Sequence, residues 1–205
     1  MKRMNVSGNT LIPYPTGLVR LLAGMPLMAY RLGLGAVLNS IHLMVLTTRG
    51  RKSGQVRHVS VEYRRHGSRI YLISVWGERP DWYQNLLTDP LATVQLGGKV
   101  YSALADPVDD PAEAARVLHL FRRIAPRRYD AVLGRLIEEE VNPRTLPDLS
   151  HQFTIMRLTI IPDEPTLPIL PVNLAWVWPL ALLVAVGAVV LINLSQRSES
   201  ERGGT

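Results

Sequence analysis

The 205-residue sequence contains no cysteine. A disulfide framework, a thiolate nucleophile and a cysteine-ligated metal are therefore excluded. The five histidines show none of the spacings typical of zinc ligands, so we expect no metal site. The N-terminus carries Lys2 and Arg3 without the compact apolar run of a signal peptide, so we expect no cleaved leader.

Several catalytic signatures are missing as well. The run Gly50-Arg51-Lys52-Ser53-Gly54 lacks the spacing of a P-loop, and Gly33-Leu34-Gly35 lacks the third glycine of a dinucleotide-binding fingerprint. Ser53 does not stand in a G-x-S-x-G elbow. These absences argue against a P-loop nucleotidase, a Rossmann dehydrogenase and a serine hydrolase.

Positive charge is present in excess and is concentrated in one region. The chain has 23 Lys and Arg against 17 Asp and Glu, a net charge of +6. Seven of these basic residues lie between Arg49 and Arg69, where Glu62 is the one acid. Such a region attracts phosphate, carboxylate or an anionic membrane face. The sequence carries no common nucleic-acid-binding motif, so we expect no nucleic-acid partner.

The C-terminal part contains a long apolar run. Residues 172–194 hold no charged side chain over 23 positions, and a helix of that length reaches roughly 35 Å, enough to cross a bilayer core. Trp176 and Trp178 lie near its start, as in an aromatic belt. We therefore predict a transmembrane helix over 172–194, preceded by a proline-rich linker (163–171) and followed by a polar tail (195–205).

The N-terminal 42 residues predict a helical region. Residues 18–38 are apolar but are interrupted by Arg20, Pro26 and Arg31, which argues against a spanning helix. We expect one or two short helices that cover the core, with contact to the membrane interface as the alternative.

Residues 43–162 predict an α+β domain. Stretches rich in Val, Ile, Tyr and Thr, joined by short Gly-containing turns, indicate antiparallel strands. The predicted strands are 43–48, 56–65, 69–75, 92–96, 100–105 and 153–161. A capped helix start at Asp110-Pro111 and a second helical pattern from Tyr129 lie between them. Hairpins with separate helices favour a small barrel or half-open sheet.

The connection between the first two strands has the features of an anion-binding loop. Glycines at 50 and 54 would let the backbone turn its N–H groups toward a ligand. Arg51, Lys52 and Arg57 add charge, and Ser53 adds a hydroxyl. A solvated basic hairpin, or a loop resting on acidic lipid, would show the same composition.

A second segment, residues 76–86, follows the third strand and opens a short helix. Trp82 and Asn85 are three residues apart and therefore share a helix face, which places an aromatic plane beside an amide. The alternative is that Trp82 simply fills the core.

Together these two segments resemble the deazaflavin-dependent nitroreductase family, and the resemblance extends from about residue 43 to 160. The residues that carry it are Leu46-Thr47-Thr48-Arg49-Gly50-Arg51-Lys52-Ser53-Gly54, Arg57, Asp81-Trp82-Tyr83-Gln84-Asn85-Leu86 and Asp89-Pro90. The resemblance implies a split β-barrel that binds coenzyme F420, a deazaflavin with a phosphodiester and a polyglutamate tail. It also implies that the tail is held by Arg51, Lys52, Ser53, Gly54 and Arg57.

The resemblance further implies the position of the deazaflavin ring. Trp82 and Asn85 match the family's W-x-x-N-L helix, which borders the ring, and backbone groups of the strand end before it would approach the ring. That strand end consists of Ser74, Val75, Trp76 and Gly77. Tyr129 is the candidate for a tyrosine on the substrate side. The glycine-containing stretch before the tryptophan helix is shorter here than in many relatives.

The activity implied is transfer of a hydride from reduced F420 to an electron-poor acceptor, a nitro compound or a quinone such as menaquinone, at a membrane. The catalytic domain would then face the cytoplasm. Two alternatives are an FMN-dependent reductase of the same barrel class and a non-catalytic, membrane-anchored protein that binds the deazaflavin.

Overall fold

The computed structural model describes residues 24–124, 126, 129–131, 153–175, 177–179 and 182–183. Its centre is one seven-stranded sheet in which every neighbouring pair is antiparallel, in the order β2-β1-β5-β6-β7-β4-β3. The strands are β1 (Leu43–Arg49), β2 (Val56–Glu62), β3 (Arg64–His66), β4 (Arg69–Ser74), β5 (Leu91–Leu96), β6 (Lys99–Pro107) and β7 (Thr154–Ile161).

The sheet curls because one extended segment belongs to both of its ends. Only Tyr63 separates β2 from β3; β2 pairs with β1, whereas β3 pairs with β4 at the other end of the strand order. Tight turns at Gly67 and Gly97, which have φ of 62° and 61°, join β3 to β4 and β5 to β6. The curled antiparallel sheet with flanking helices confirms the predicted split-barrel class.

The inside of the curled sheet forms the main hydrophobic core. It is built from alternating strand residues and from two side chains of the helix that follows β4, because alternate residues of a strand point to the same face. Its buried members are Met44, Leu46, Tyr63, Ile70, Leu72, Tyr83, Leu86, Ala92, Val94, Leu96, Ala103, Met156 and Leu158.

Four helices that lie wholly within the described residues surround the sheet: α1 (Met25–Arg31), α2 (Gly35–Ser40), α3 (Asp81–Thr88) and α4 (Pro111–Arg122). The predicted cap of α4 is confirmed, since the Asp110 carboxylate accepts hydrogen bonds from the N–H groups of Ala112 and Glu113 at 3.1 Å each. The apolar face of α4 belongs to one hydrophobic cluster with Tyr71 of β4 and Ile155 of β7. The second helical pattern is described only at 126 and 129–131, and its remainder lies outside the described residues.

The proline-rich segment 163–171 binds to the sheet. Gln95 Nε2 donates to the Leu170 carbonyl at 3.2 Å, the Leu170 N–H donates to Gln95 Oε1 at 2.7 Å, and Thr93 Oγ1 donates to the Leu167 carbonyl at 3.0 Å. Leu167 and Leu170 are buried. The segment predicted to be a proline-rich linker is therefore packed on the sheet, and we call it the strap on β5.

Most of the predicted transmembrane segment falls outside the described residues. Its described residues are 172–175, 177–179 and 182–183, and those at 177–179 and 182–183 are helical. Within the part of the chain that the structure describes, no helix has the length and apolar character needed to cross a bilayer. The predicted tail, 195–205, and residues 1–23 also lie outside the described residues.

Candidate functional site

The β1–β2 connection, residues 49–57, includes the last residue of β1 and the first two of β2, and we call it the 49–57 loop. It is closed by its own backbone. The Gly50 N–H donates to the Gln55 carbonyl at 2.8 Å, and the Gly54 N–H donates to the Gly50 carbonyl at 2.7 Å. Gly54 has φ of +67°, a conformation that costs little only for glycine. The sequence therefore sets a tight turn at this end of the hairpin.

The backbone amides of this loop are used differently from the sequence-based expectation. The N–H groups of Gly50, Ser53 and Gly54 donate to carbonyls within the loop, and the Arg51 N–H donates to a side chain of α3. These amides are not turned toward an open space. An anion at this loop would therefore be held mainly by the side chains.

Two cations of the loop are free to meet such an anion. Lys52 and Arg57 are exposed, and neither has a carboxylate partner in the described part of the chain. The Arg57 Nη2 group donates to Gln55 Oε1 at 3.3 Å, which leaves its other donors available. A Cβ added to Gly54 would meet no atom within 4 Å, so the space beside the loop is open. This arrangement suits a phosphate or a carboxylate.

Arg51 occupies a different position, against the start of α3. Its Nη1 group donates to Asp81 Oδ1 at 2.8 Å and to Asn85 Oδ1 at 3.2 Å. Asp81 and Asn85 are four residues apart and thus lie on one face of the helix. Arg51 links the loop to α3, and Asp81 would compete with any anionic ligand for its guanidinium.

Asn85 fastens the loop to the helix through both ends of its amide. Its Oδ1 atom accepts the Arg51 N–H at 3.1 Å, and its Nδ2 group donates to Thr48 Oγ1 at 3.2 Å. The side chain is 3% exposed, and Thr48 is also buried. The Asn85 oxygen is therefore already engaged by the loop. These hydrogen bonds join the end of β1, the 49–57 loop and helix α3, which also carries Trp82, into one structural unit.

The groups expected near the ring lie at the N-terminal side of α3. Trp82 is half-buried against the barrel core and meets the Tyr83 ring edge-on, with centroids 5.7 Å apart. Ser74 Oγ donates to the Gly77 carbonyl, and Gly77 takes φ of +59°, so Ser74 to Gly77 form a closed turn that includes Val75 and Trp76. The turn leads directly into the helix that carries Trp82.

The positive charge of the site comes from arginine and lysine and not from the neighbouring histidine. His58, on β2 beside Arg57, shares a hydrogen bond of 2.9 Å between its Nδ1 and Thr47 Oγ1. Burial, and then the charge of Arg31, lower the pKa of His58. We therefore expect its ring to be neutral at pH 7.

Comparison with known proteins gives the family. The model of the F420H(2)-dependent quinone reductase family matches residues 27–141, which is more than half of the chain and includes both the 49–57 loop and α3. The chain belongs to the F420H(2)-dependent quinone reductase family. This membership confirms the resemblance to F420-dependent enzymes.

Individual relatives are more distant. The F420H(2)-dependent quinone reductase Rv1261c of Mycobacterium tuberculosis is 31% identical over 91 residues, which are 42% of this chain and 60% of that protein. The match thus covers less than two thirds of that relative's length. The solved structure of an F420-H2 dependent reductase (FDR-A) is 20% identical with a TM-score of 0.42, over 57% of this chain and 93% of that chain.

In this family member, Tyr129 lies away from the 49–57 loop. It is buried, its hydroxyl donates to Glu62 and accepts from Arg64 Nη2 at 2.9 Å, and its ring meets Phe121 edge-on. Glu62 pairs with Leu43, at the end of β1 opposite the loop, about 20 Å along the strand. The structure does not bring Tyr129 together with the 49–57 loop, and its catalytic role stays a prediction.

Two contacts of the site were not anticipated from the sequence. Asp81 pairs with Arg51, and Thr48 receives the Asn85 amide. The signal for Asp81 was present, because it stands one helical turn before Asn85 at the start of a helix. Among the described residues, no group of histidine and acidic side chains could hold a metal ion.

Proposed function

We propose that this chain is an oxidoreductase that uses reduced coenzyme F420 to reduce an electron-poor organic acceptor, a quinone such as menaquinone or a nitro compound. The observation that carries the proposal is the pair of exposed cations Lys52 and Arg57, without carboxylate partners among the described residues, on a loop fixed to α3. Membership of the F420H(2)-dependent quinone reductase family supports it.

The loop would hold the cofactor's tail by charge. Lys52 presents a point charge, and the planar guanidinium of Arg57 can grip a phosphate or carboxylate through two parallel hydrogen bonds. Ser53 is exposed and its hydroxyl can donate a further hydrogen bond. Arg51 would join them by leaving Asp81, a pair that is exposed on the Asp81 side. Gly54 leaves the approach open.

The other end of the cofactor would lie toward α3. Bound reduced F420 supplies the hydride, so the protein's part is to position the ring and exclude water. The half-buried indole of Trp82 offers an apolar surface for this purpose, and the closed turn from Ser74 to Gly77 sets where α3 begins. Asn85 keeps the helix and the loop at a fixed spacing.

The proposed location is the cytoplasmic face of a membrane, held by residues 172–194. The uncharged 23-residue run supports insertion into a membrane. The cytoplasmic side is proposed because a cytosolic cofactor can reach only a domain that faces the cytoplasm. Protease treatment of intact cells that carry a C-terminal tag tests this orientation. Removal of the tag with an intact domain is expected, whereas a cleaved domain with a protected tag would contradict it.

The proposed activity is tested with the full chain in lipid nanodiscs. We expect F420 to bind, as measured by the change in the fluorescence of the deazaflavin. We expect reduced F420 to be oxidised only when a menaquinone analogue or a nitro acceptor is added. Binding without turnover on every acceptor would show a cofactor-binding protein instead. A purified protein that carries the longer-wavelength absorbance of a flavin would point to FMN.

A further inference from the structure

The α1–α2 hairpin has one buried face and one exposed face. Tyr30 and Leu38 pack against Val45 of β1 and Leu170 of the strap, so the hairpin covers the sheet as expected from the sequence. Its other face presents large apolar side chains to solvent. They are Met25, Met28 and Leu32 on the α1 side and Leu34, Val37 and Ile41 on the α2 side.

These exposed side chains form a pattern. In each group the spacing is three and then four residues, which aligns the side chains along one face of a helical segment. Met28 is 59% exposed and Val37 is 58% exposed. Isolated apolar residues at a surface are ordinary, but six within one short hairpin make a patch that typically marks an interaction site.

The apolar C-terminal segment begins against this same hairpin. The Asn173 N–H donates to the Arg31 carbonyl at 2.7 Å. A Cβ added to Gly33 would lie 2.6 Å from Leu174 Cδ2 and 3.7 Å from Val172 Cγ1. These two side chains therefore pack against the α1–α2 turn at Gly33. Beyond them Val177 and Trp178 are also exposed. The patch and the start of the 172–194 run are thus one continuous apolar surface.

Two basic side chains form a cationic rim beside α2 of the hairpin. Arg65 and Lys99 line a pocket of about 380 Å³ together with Ala36 and Asn39 of α2, and the Arg65 guanidinium lies 5.6 Å from the centroid of the Tyr101 ring. In the described part of the chain neither cation has a carboxylate partner. A cationic rim beside an apolar face matches the chemistry of an anionic lipid surface.

We propose that the α1–α2 hairpin is a membrane-docking surface that lies in the interface of an anionic bilayer, with the pocket of Arg65 and Lys99 facing lipid phosphate. The proposal rests on the proposed function in one respect, the insertion of residues 172–194. Because the strap is bound to β5, the barrel sits close against the lipid. The 49–57 loop, at the far end of β1, then faces the aqueous phase, where a cofactor with a polyanionic tail is found.

Depth-dependent quenching tests the docking. The full chain has no cysteine, so a single Met28→Cys or Val37→Cys substitution can carry one environment-sensitive fluorophore. Leu104→Cys is the matched control, since Leu104 is an exposed apolar residue (43%) on β6, away from the hairpin. The proteins are reconstituted in nanodiscs of phosphatidylcholine and phosphatidylglycerol with or without nitroxide-labelled acyl chains.

The labels at 28 and 37 should be quenched by the nitroxide lipids at least about twofold more than the label at 104, and less by aqueous iodide. Equal quenching at all three sites would overturn the proposal. Labels at 28 and 37 that are shielded from iodide but not quenched by the lipids would show that protein, such as a second copy, covers the face, and would overturn it as well.

The charged rim is tested separately. In the Arg65→Gln/Lys99→Gln double variant the quenching at Val37→Cys should lose its dependence on the phosphatidylglycerol fraction. The Arg116→Gln/Arg123→Gln variant removes the same charge from exposed positions on and next to α4, and should keep that dependence. An unchanged dependence in the first variant would contradict the headgroup role of the pocket.

Titration of the same nanodiscs with F420 separates this proposal from the function. Lipid quenching at 28 and 37 without F420 binding would remove the proposed function and leave the docking surface. F420 binding together with equal quenching at all three sites would leave the proposed function in place and remove the docking surface.

Discussion

Two groups of charged side chains in this protein differ in how they are satisfied. Under α4, the Glu113 carboxylate accepts hydrogen bonds from the Tyr71 hydroxyl at 2.8 Å and from Arg157 Nη1 at 2.7 Å, while Arg157 also pairs with Asp106. In the 49–57 loop, neither Lys52 nor Arg57 has a carboxylate partner in the described part of the chain. The first group stabilises the fold, whereas the second leaves two exposed cations without carboxylate partners, which is the arrangement that the proposed cofactor binding requires.

The pKa of Glu113 shows the strength of the first arrangement. Burial by itself would raise this pKa, but hydrogen bonds from Tyr71 and Arg157 and the charges of Arg157 and Arg69 hold it below its ordinary value. The stability that the carboxylate contributes is therefore present above its unfolded pKa of about 4.3 and is lost as pH falls through the lower, folded pKa.

The largest effect is expected from Arg157→Met, which leaves the buried Glu113 carboxylate without its main cation. Loss of one partner of a buried pair typically costs about 3 kcal/mol in the free energy of unfolding. Chemical denaturation of the full chain in detergent micelles measures it. Arg116→Met, in an exposed pair with Asp110, is the control and should change the stability by less than about 0.5 kcal/mol. Similar stabilities for the two variants would remove the distinction between the groups.

The Lys52→Gln/Arg57→Gln double variant should behave in the opposite way. Hydrogen bonds to charged groups contribute roughly 1.5 kcal/mol or more each, so the affinity for F420 should fall about 10²-fold. The free energy of unfolding should stay within about 0.5 kcal/mol of the parent, because both side chains are exposed.

Calorimetric titration measures that affinity, and Arg116→Gln/Arg123→Gln again removes an equal charge elsewhere. If both double variants lower the affinity equally, the loop cations act only through the net charge of the protein. That outcome would contradict a specific binding role for the loop.

Asn85→Ala should produce a smaller, mixed effect, because Asn85 connects the fold to the loop. The substitution leaves the Arg51 N–H and the Thr48 hydroxyl without their partner, at a cost of about 1–2 kcal/mol in stability. Hydrogen exchange at the Arg51 amide should become faster, and the affinity for F420 should fall about tenfold as the loop loosens.

Asn85→Asp keeps an acceptor for the Arg51 N–H and is the matched comparison for the alanine variant. It should restore slow exchange at that amide. Unchanged exchange in Asn85→Ala would show that the loop is held by its own turn alone.

The smallest effect is expected from Asp81→Asn. Asp81 is exposed and competes with an anionic ligand for Arg51, and an exposed ion pair contributes at most about 1 kcal/mol. The affinity for F420 should therefore rise about two- to fivefold, with little change in stability. A lower affinity would mean that Asp81 orients Arg51 for binding instead of occupying it.

The strands and turns of this fold were predictable because their signals are local. Runs of Val, Ile, Tyr and Thr gave β1, β4 and β7, and glycines at 67 and 97 marked two of the turns. The Asp110 cap was visible for the same reason, since its acceptor and donors lie within three residues of each other.

The missed features depend on contacts between residues far apart in sequence. Arg51 and Asn85 are 34 positions apart, so the sequence showed both motifs but not that one is hydrogen-bonded to the other. The strap resembled a linker because its proline content is visible in the segment itself. The hydrogen bonds between Gln95 and Leu170, which fix it to β5, join residues 75 positions apart. Tyr129 was selected by residue type, and only its packing showed that its hydroxyl is engaged by Glu62 and Arg64.

The most direct test of the loop's role is the affinity of the full chain for F420 and for a deazaflavin that lacks the phosphodiester and glutamate tail. We predict that F420 binds at least about 10²-fold more tightly at low salt, that the difference narrows as salt screens the charges, and that it shrinks at least about tenfold in Lys52→Gln/Arg57→Gln. Equal affinities for the two compounds, or a difference that is undiminished in the variant, would contradict the assignment of the 49–57 loop to the cofactor's tail.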